Sequence, residues 1–305
     1  MYDVIIIGAG PGGMTAALYA ARSDLKVMLM EQGAPGGQMN NTAEIENYPG
    51  YATIMGPDLA MNMYEPLDGL GVEHAYGILK EVKDEGTFKK VITEDGEFSA
   101  RTVIMATGAN HRHLGVPGEE EYAARGVSYC AVCDGAFFRD QDIMVVGGGD
   151  SAIEEAIFLT RFGKSVTIVH RRDELRAQKI IQDRAFANEK ISFIWDSVIE
   201  EIDGNDRQIT HVKLKNLKTG ETTEREVGGL FIYVGIDPMS EAVSKLGITD
   251  DENWIVTDDK MATNVPGLYA IGDVRAKDLR QITTAVGDGA IAGQQVYQYV
   301  SQLED

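Results

Sequence analysis

The chain has 305 residues, 44% of them hydrophobic and 25% charged, an ordinary balance for a soluble globular protein and more chain than one hydrophobic core usually serves, so two domains are expected. Its 28 basic and 48 acidic side chains give a net charge of −20, which argues against nucleic acid and anionic membranes as partners and means that any bound anion must be held locally. No run approaches the ~18 consecutive apolar residues of a membrane span, and Met1-Tyr2-Asp3 has neither the basic region nor the apolar stretch of a signal peptide.

Tyr2 to Ile7 reads as a buried strand, followed by Gly8-Ala9-Gly10-Pro11-Gly12-Gly13, a helix from Met14 to Arg22, and a short strand from Lys26 to Met30 that ends at Glu31. Gly8, Gly10 and Gly13 fit GxGxxG, in which glycine permits a tight turn, close approach of backbone to a pyrophosphate, and close helix–strand packing. The anion rests on the helix N-terminus, where free N–H groups and the dipole favour it. Glu31, 18 residues past Gly13, is placed to accept hydrogen bonds from a ribose. Further along, Val103 to Gly108 is a buried strand ending in a tight turn, and Gly115-Val116-Pro117-Gly118 reads as a linker.

Cys130-Ala131-Val132-Cys133 follows, with Asp134 immediately after, and these are the only two cysteines of the chain. Two thiols at that spacing close a small disulfide ring and open it again, so the pair holds two electrons. One sulfur attacks while its neighbour resolves the mixed disulfide, and the carboxyl group beside them is a proton donor or acceptor for a leaving thiolate. A zinc half-site uses the same spacing, but tetrahedral zinc takes four ligands, and of the five histidines only His111 and His113 are close in sequence. Inert cysteines are the other alternative. Without an export signal, a labile CxxC is easier to explain as a cytoplasmic redox motif than as a structural staple.

A second nucleotide unit begins at Asp142 to Val146, with Gly147-Gly148-Gly149-Asp150-Ser151-Ala152, a helix through about Phe162, and a strand from Ser165 to Val169. Gly147, Gly149 and Ala152 fit GxGxxA. Where the first unit has Glu31, this one has His170-Arg171-Arg172, with Arg176 beyond. An acid there favours a free 2′-hydroxyl, whereas guanidinium groups favour a 2′-phosphate through charge-assisted bonds, so the second nucleotide is expected to be NADPH. A solvated helix start with ordinary surface ion pairs is the competing reading of the arginines. Either glycine motif alone is a weak signal; two, each with strand before and helix after, reinforce one another.

Gly235-Ile236-Asp237-Pro238 reads as a second linker, Gly267 to Asp273 as a strand ending in Gly-Asp, and Ala285 to about Val300 as an alanine-rich helix. These last residues carry no fingerprint of their own and complete the first domain. The expected fold is therefore α/β: two Rossmann-like, three-layer nucleotide-binding domains, one made of residues 1–114 and 241–305, the other, 115–240, inserted into it and carrying the CxxC.

Order and spacing of these motifs, together with Gly36-Gly37-Gln38, Glu46-Asn47-Tyr48-Pro49-Gly50, Ala106-Thr107-Gly108 and Arg280-Gln281, closely resemble the low-molecular-weight, bacterial-type thioredoxin reductases, FAD-containing NADPH:disulfide oxidoreductases. The resemblance spans essentially the whole chain. It implies that FAD lies along Gly8, Gly10, Gly13 and Glu31, with Gln38, Thr42 and Asn47 on the flavin side and Asp273, Arg280 and Gln281 at the ribityl, pyrophosphate and ring regions. It places NADPH along Gly149, Asp150, Ser151 and Ala152, with Arg171, Arg172 and Arg176 on the 2′-phosphate and His170 either flanking it or simply packed. Cys133 then faces the flavin, Cys130 attacks the partner's disulfide, and Asp134 protonates a departing thiolate. Phe137 and Phe138 offer apolar contact to thioredoxin or a thioredoxin-like partner, although buried aromatics are as common; Ala136 stands where the family often has an aromatic, which bears on docking detail and not on chemistry. A homodimer is implied by the resemblance alone.

Dithiol and nicotinamide site ride on one domain and the flavin site on the other, so the inserted domain is expected to rotate on its two linkers between half-reactions. The rival functions fit less well. Ferredoxin-linked relatives lack the arginines, ferredoxin–NADP reductases lack the CxxC, and peroxiredoxin-reducing relatives carry an extra N-terminal redox domain. A non-catalytic NADPH sensor is the alternative from another class.

Overall fold

The computed structural model describes residues 1–42, 44–45 and 47–303, which leaves Glu46 of the Glu46–Gly50 run outside the described residues. The backbone divides into two compact units, Met1–Asn110 with Asp237–Asp305, and His111–Ile236. The strands Ala109–His111 and Ile236–Pro238, on which the chain passes from one unit to the other, pair as a two-stranded ribbon. The changes of unit fall a few residues ahead of the expected 114/115 and 240/241. The reason is local: Gly115–Gly118 is an ordered turn of the inserted unit, not a linker. Glu119, buried just beyond it, accepts the N–H groups of Leu114 at 2.9 Å and Gly115 at 2.7 Å, and Ile202 N–H donates to Pro117 O at 3.0 Å.

In the first unit the strands Tyr2–Ile7, Val27–Glu31, Glu73–Tyr76, Leu268–Ala270 and the second half of Glu97–Met105 form a parallel sheet. Except for the edge strand Glu73–Tyr76, these strands are buried on both faces and read as near-continuous apolar runs, and Val4, Ile5, Ile6, Val103, Ile104 and Leu268 are fully enclosed. The first half of Glu97–Met105 continues into an antiparallel meander with Lys89–Thr93 and Leu79–Asp84. Helices Pro11–Arg22 and Ile282–Gln302 cover one face, through Ala16, Ala20, Ala292 and Val296; the meander covers the other, through Val82 and Val91.

The inserted unit repeats that plan. Val127–Ser128, Gly229–Ile232, Asp142–Val146, Ser165–Val169 and Ile191–Ile194 make a five-stranded parallel sheet in that order. Helices Asp150–Leu159 and Lys179–Phe186 pack on one face and the antiparallel strands Ser197–Gly204, Ile209–Asn216 and Thr222–Glu226 lie on the other, with Ile199, Ile202, Val212 and Leu214 buried between. The two meanders carry no glycine fingerprint, and sequence reading passed over both. No helix of the described residues is long and apolar enough to cross a membrane.

The two helices that cover the first sheet meet along a stripe of small residues. In Ile282–Gln302 the buried positions Ala285, Gly289, Ala292, Gly293, Val296 and Val300 recur at helical spacing. A Cβ on Gly293 would lie 2.7 Å from Tyr19 Cβ and 2.8 Å from Ala16 O, so Gly293→Ala must push the helices apart. Overpacking of this kind costs about 1–3 kcal/mol, and each kcal/mol lowers Tm by roughly 2–4 °C in a unit of this size. A melting curve identical to the wild type's would show that the contact is not tight in solution.

Candidate active site: a dithiol and two glycine cradles

Cys130 is the N-cap of a single helical turn, Ala131–Asp134, so its extended backbone and the turn bring the second cysteine round. The sulfurs of Cys130 and Cys133 are joined, with their Cα atoms 5.3 Å apart, and Cys130 Sγ accepts the N–H of Cys133 at 3.2 Å. Ser128, buried at the end of its strand, ties the turn from both sides: its Oγ accepts the Cys130 N–H at 3.1 Å and donates to Asp134 Oδ2 at 2.6 Å. Burial raises the Asp134 carboxyl above the usual range, with the Ser128 bond pulling the other way. A carboxyl that holds its proton more tightly than a solvated one is suited to giving that proton to a thiolate.

Two further groups stand beneath this turn. The Tyr233 hydroxyl accepts the Ala131 N–H at 2.6 Å, and its ionisation is pushed well above the ordinary phenol range by burial and then by the charge of Glu155, with Asp134 adding to it. Glu155, on helix Asp150–Leu159, is pushed up to about 7 by burial and then by Glu154. Sequence reading singled out neither. Glu155 had one signal, an acid beside an acid in the apolar middle of its helix.

Neighbouring aromatics divide by role. Phe138 packs edge-on against Phe231 at 5.1 Å, a core contact, whereas Phe137 is 44% exposed and Val132 is also at the surface. His111 and His113 both lie against the ring of Tyr129, at 5.3 and 5.4 Å, and the Tyr129 hydroxyl donates to the Glu119 carboxylate at 2.8 Å.

The first cradle joins Tyr2–Ile7 to Pro11–Arg22. Gly8 has φ +108°, and a Cβ there would lie 2.2 Å from Ala106 O; one on Gly13 would lie 1.8 Å from Gly8 O. Gly10 is different, since nothing lies within 4 Å of its Cβ direction. Glu31 Oε2 accepts the Ala9 N–H at 2.8 Å and its Oε1 accepts that of Gln32 at 2.7 Å, which locks the glycine loop to the strand end and leaves lone pairs for a further donor. Gln38 donates to Ala109 O at 3.4 Å, and Thr42 donates to Gln38 O at 3.2 Å. Asn47 and Gln281, far apart in sequence, meet through a 3.1 Å bond. Gln281 also caps Ile282–Gln302 in a capping box with Thr284. Arg280 lies over the Trp254 ring at 3.8 Å and donates to Asp273 O at 3.3 Å. Asp273 Oδ1 is buried with no hydrogen-bond partner among the described residues. Burial raises its carboxyl, against the pull of Lys277 and Arg280.

The second cradle joins Asp142–Val146 to Asp150–Leu159. Gly147 sits where a Cβ would lie 2.5 Å from Tyr233 O, whereas nothing lies within 4 Å of Gly149. Asp150 accepts Gln178 N–H at 2.6 Å and its side-chain amide at 3.1 Å, tying the loop after the arginines back to the helix start. Ser151 is exposed and Ala152 is buried against Gly147. The His170 ring fills the space beside Gly148, and its Nε2 is buried without a partner among the described residues. Its pKa is lowered by burial, then by Arg176, Arg171 and Arg172, so all three guanidinium groups act on one spot while remaining exposed.

The profile of the pyridine nucleotide-disulphide oxidoreductases matches residues 2–289. The chain belongs to this family. Within it, a thioredoxin reductase of Listeria monocytogenes is 57% identical across all of this chain and 96% of its own length, and one of Bacillus subtilis is 53% identical over the same shares. The crystal structure of the thioredoxin reductase from Streptococcus pyogenes superposes with a TM-score of 0.94, at 66% identity, covering 99% of both chains.

Membership of this disulphide oxidoreductase family implies a flavin and a pyridine nucleotide, and the residues present fit both. Each cradle has one glycine facing open space at a helix start, and the buried unpartnered Asp273 Oδ1 suits a hydroxyl donor. The arginine cluster suits a phosphate. Two predictions test the site. Gly10→Ala meets no protein atom, so it should leave the melting temperature of the flavin-free protein unchanged while weakening flavin retention about tenfold or more, since one lost contact of ~1.4 kcal/mol does as much; a lower melting temperature of the flavin-free variant would show that Gly10 serves the fold. Glu155 keeps its proton to about pH 7 when folded but loses it near its ordinary value when unfolded, so its penalty grows as pH rises between those values and is complete above 7. Glu155→Gln should therefore raise Tm at pH 8 and leave it nearly unchanged at pH 4, and the reverse order would overturn the assignment.

Proposed function

We propose that the protein reduces the disulfide of thioredoxin, or of a thioredoxin-like protein, using NADPH as electron source, FAD as carrier and Cys130–Cys133 as outlet. The observation that carries this reading is that the chain's sole cysteines are joined beside a buried acid, on the same unit as an arginine-marked nucleotide cradle. FAD would be held by the loop of Gly8, Gly10 and Gly13, by Glu31, by Gln38, Thr42 and Asn47, and by Asp273, Arg280 and Gln281. NADPH would be held by Gly149, Asp150, Ser151 and Ala152, with His170 and the arginines 171, 172 and 176 at its 2′-phosphate. Held there, FAD would supply two-electron transfer from the reduced nicotinamide to the disulfide.

The chain's own residues do the rest. Two electrons and one proton entering the Cys130–Cys133 bond cleave it to a thiol and a thiolate. The Cys130 thiolate attacks the partner's disulfide, forming a mixed disulfide and expelling one partner thiolate, which takes the proton held at Asp134. Cys133 then returns its proton to Asp134, attacks Cys130 Sγ as the thiolate, restores the ring and releases the second partner sulfur as a thiolate. Tyr233 and Ser128 hold the turn through both changes by bonds to backbone N–H groups that neither oxidation state removes. The energetic task is modest, because a thioredoxin disulfide lies near −270 mV and each ~30 mV is only about 1.4 kcal/mol.

The dithiol and second cradle lie in residues 111–236 and the first cradle outside them. A swing of the inserted unit on its two connecting strands would let the dithiol and the nicotinamide take turns, at microsecond to millisecond rates. A homodimer, a cytoplasmic location, and the absence of nucleic-acid or membrane partners complete the reading; the labile thiol pair and the acidic charge support it. Anaerobic titration with NADPH tests the core of it. The protein should consume two two-electron equivalents, and the double variant Cys130→Ser with Cys133→Ser should consume one. A wild type that consumes only one, or a preparation without flavin, would sink the mechanism.

A further inference from the structure

Asp288 lies in helix Ile282–Gln302, in a run of small and apolar residues, and no sequence motif marks it. Its Oδ2 accepts the Gly272 N–H at 3.0 Å and the Lys277 ammonium at 2.8 Å, and its Oδ1 accepts from Arg275 Nη1 at 3.0 Å. The three charged side chains are almost equally buried, at 11% exposure for Asp288, 13% for Arg275 and 11% for Lys277. Arg275 is fixed from its other end by Thr257, whose Oγ1 accepts from Nε at 2.9 Å.

Two features of this cluster exceed what a structural ion pair needs. Gly272 has φ +69°, in the left-handed region, and Asp288 takes the N–H of that residue, so the carboxylate fixes the turn from which the next side chain, Asp273, leaves. Two buried cations also share one buried carboxylate. Buried charge is costly unless it is matched, so the surplus cation needs an anion, and Lys277 and Arg280 both act on Asp273, whose Oδ1 has no partner among the described residues.

We propose that Asp288 is a positioning residue for the flavin: it fixes the Gly272 turn so that Asp273 presents its carboxylate, and it cancels one of the two cations Arg275 and Lys277, leaving the other to face Asp273 and the cofactor. The inference rests on the FAD reading above. Asp288→Asn keeps an acceptor for the Gly272 N–H but leaves both cations unmatched, and their repulsion opens the 272–277 turn. Lys277→Met in the same chain restores the original net charge.

Serial dilution of the holoprotein, followed by the fluorescence of released FAD, gives Kd; spectroelectrochemistry of the same samples gives the flavin midpoint. Asp288→Asn should raise Kd at least about tenfold, or about 1.4 kcal/mol, and shift the midpoint to more positive values, because the added positive charge favours the more negative reduced ring. The double variant should return Kd to within about threefold of wild type, as expected for directly coupled charges, and should return the midpoint with it. Unchanged Kd and midpoint in Asp288→Asn overturn the inference and leave the FAD reading standing. So does a raised Kd with an unmoved midpoint and no rescue, the signature of a merely structural residue. If Asp288→Asn does not fold, the double variant decides alone: it should fold and bind FAD, and its failure beside a sound Lys277→Met protein overturns the inference. A wild-type protein that takes up no FAD overturns both readings.

Discussion

Gly13 comes so near the carbonyl of Gly8 that an added Cβ would sit 1.8 Å from its oxygen. That crowding is the constraint on which the rest of the first unit depends. It sets the helix start close against the strand end, so that free N–H groups face outward at one point where an anion can rest. The inserted unit solves the same problem with Gly147, wedged between Tyr233 O and the methyl of Ala152. In both units the first glycine of the loop, Gly8 in one and Gly147 in the other, is squeezed by the residue that follows the neighbouring strand, Ala106 and Tyr233 respectively. Nucleotide cradle and sheet packing are therefore one feature.

Tyr233 carries this constraint to the thiols. Its carbonyl crowds Gly147, while its hydroxyl holds the N–H of Ala131 between the two cysteines. A single side chain thus spans the distance between the place where a nucleotide would rest and the place where electrons would leave. Three acids share one physical condition: Asp134 and Glu155 near Tyr233 and, in the other unit, Asp273 are all raised chiefly by burial. Such groups hold their protons to higher pH than solvated carboxyls do. The chain has 48 acidic side chains, and these few differ from the exposed ones by surroundings and not by type.

Contiguous features were legible in the sequence. The glycine spacings, the CxxC with Asp134, and His170-Arg171-Arg172 each act within a few residues of themselves, so their order along the chain already states the chemistry. The strands at 2–7 and 142–146 were legible for the same reason, as apolar runs ending at a glycine turn, and that at 165–169 as an apolar run ending at His170. Gly115–Gly118 shows the limit. Glycine and proline mark a turn there, but whether a turn is slack or pinned depends on Glu119 and Ile202, and the latter comes from a strand more than 80 residues away. The two antiparallel meanders were missed because short alternating strands leave a weak pattern when half of each faces solvent.

By itself the sequence determined which groups are candidates for chemistry and in what order they come: two glycine cradles, one dithiol with its acid, one cluster of guanidinium groups. These follow from residue type and local spacing. Only the tertiary structure decided which groups support them. Ser128 beneath Asp134, Tyr233 beneath Ala131, Asn47 against Gln281, and Asp288 beneath Gly272 are ordinary residues until folding brings them within about 3 Å of a partner. Hydrogen bonds and buried charges act only at contact, and contact between residues distant in the chain is not a property of any one segment.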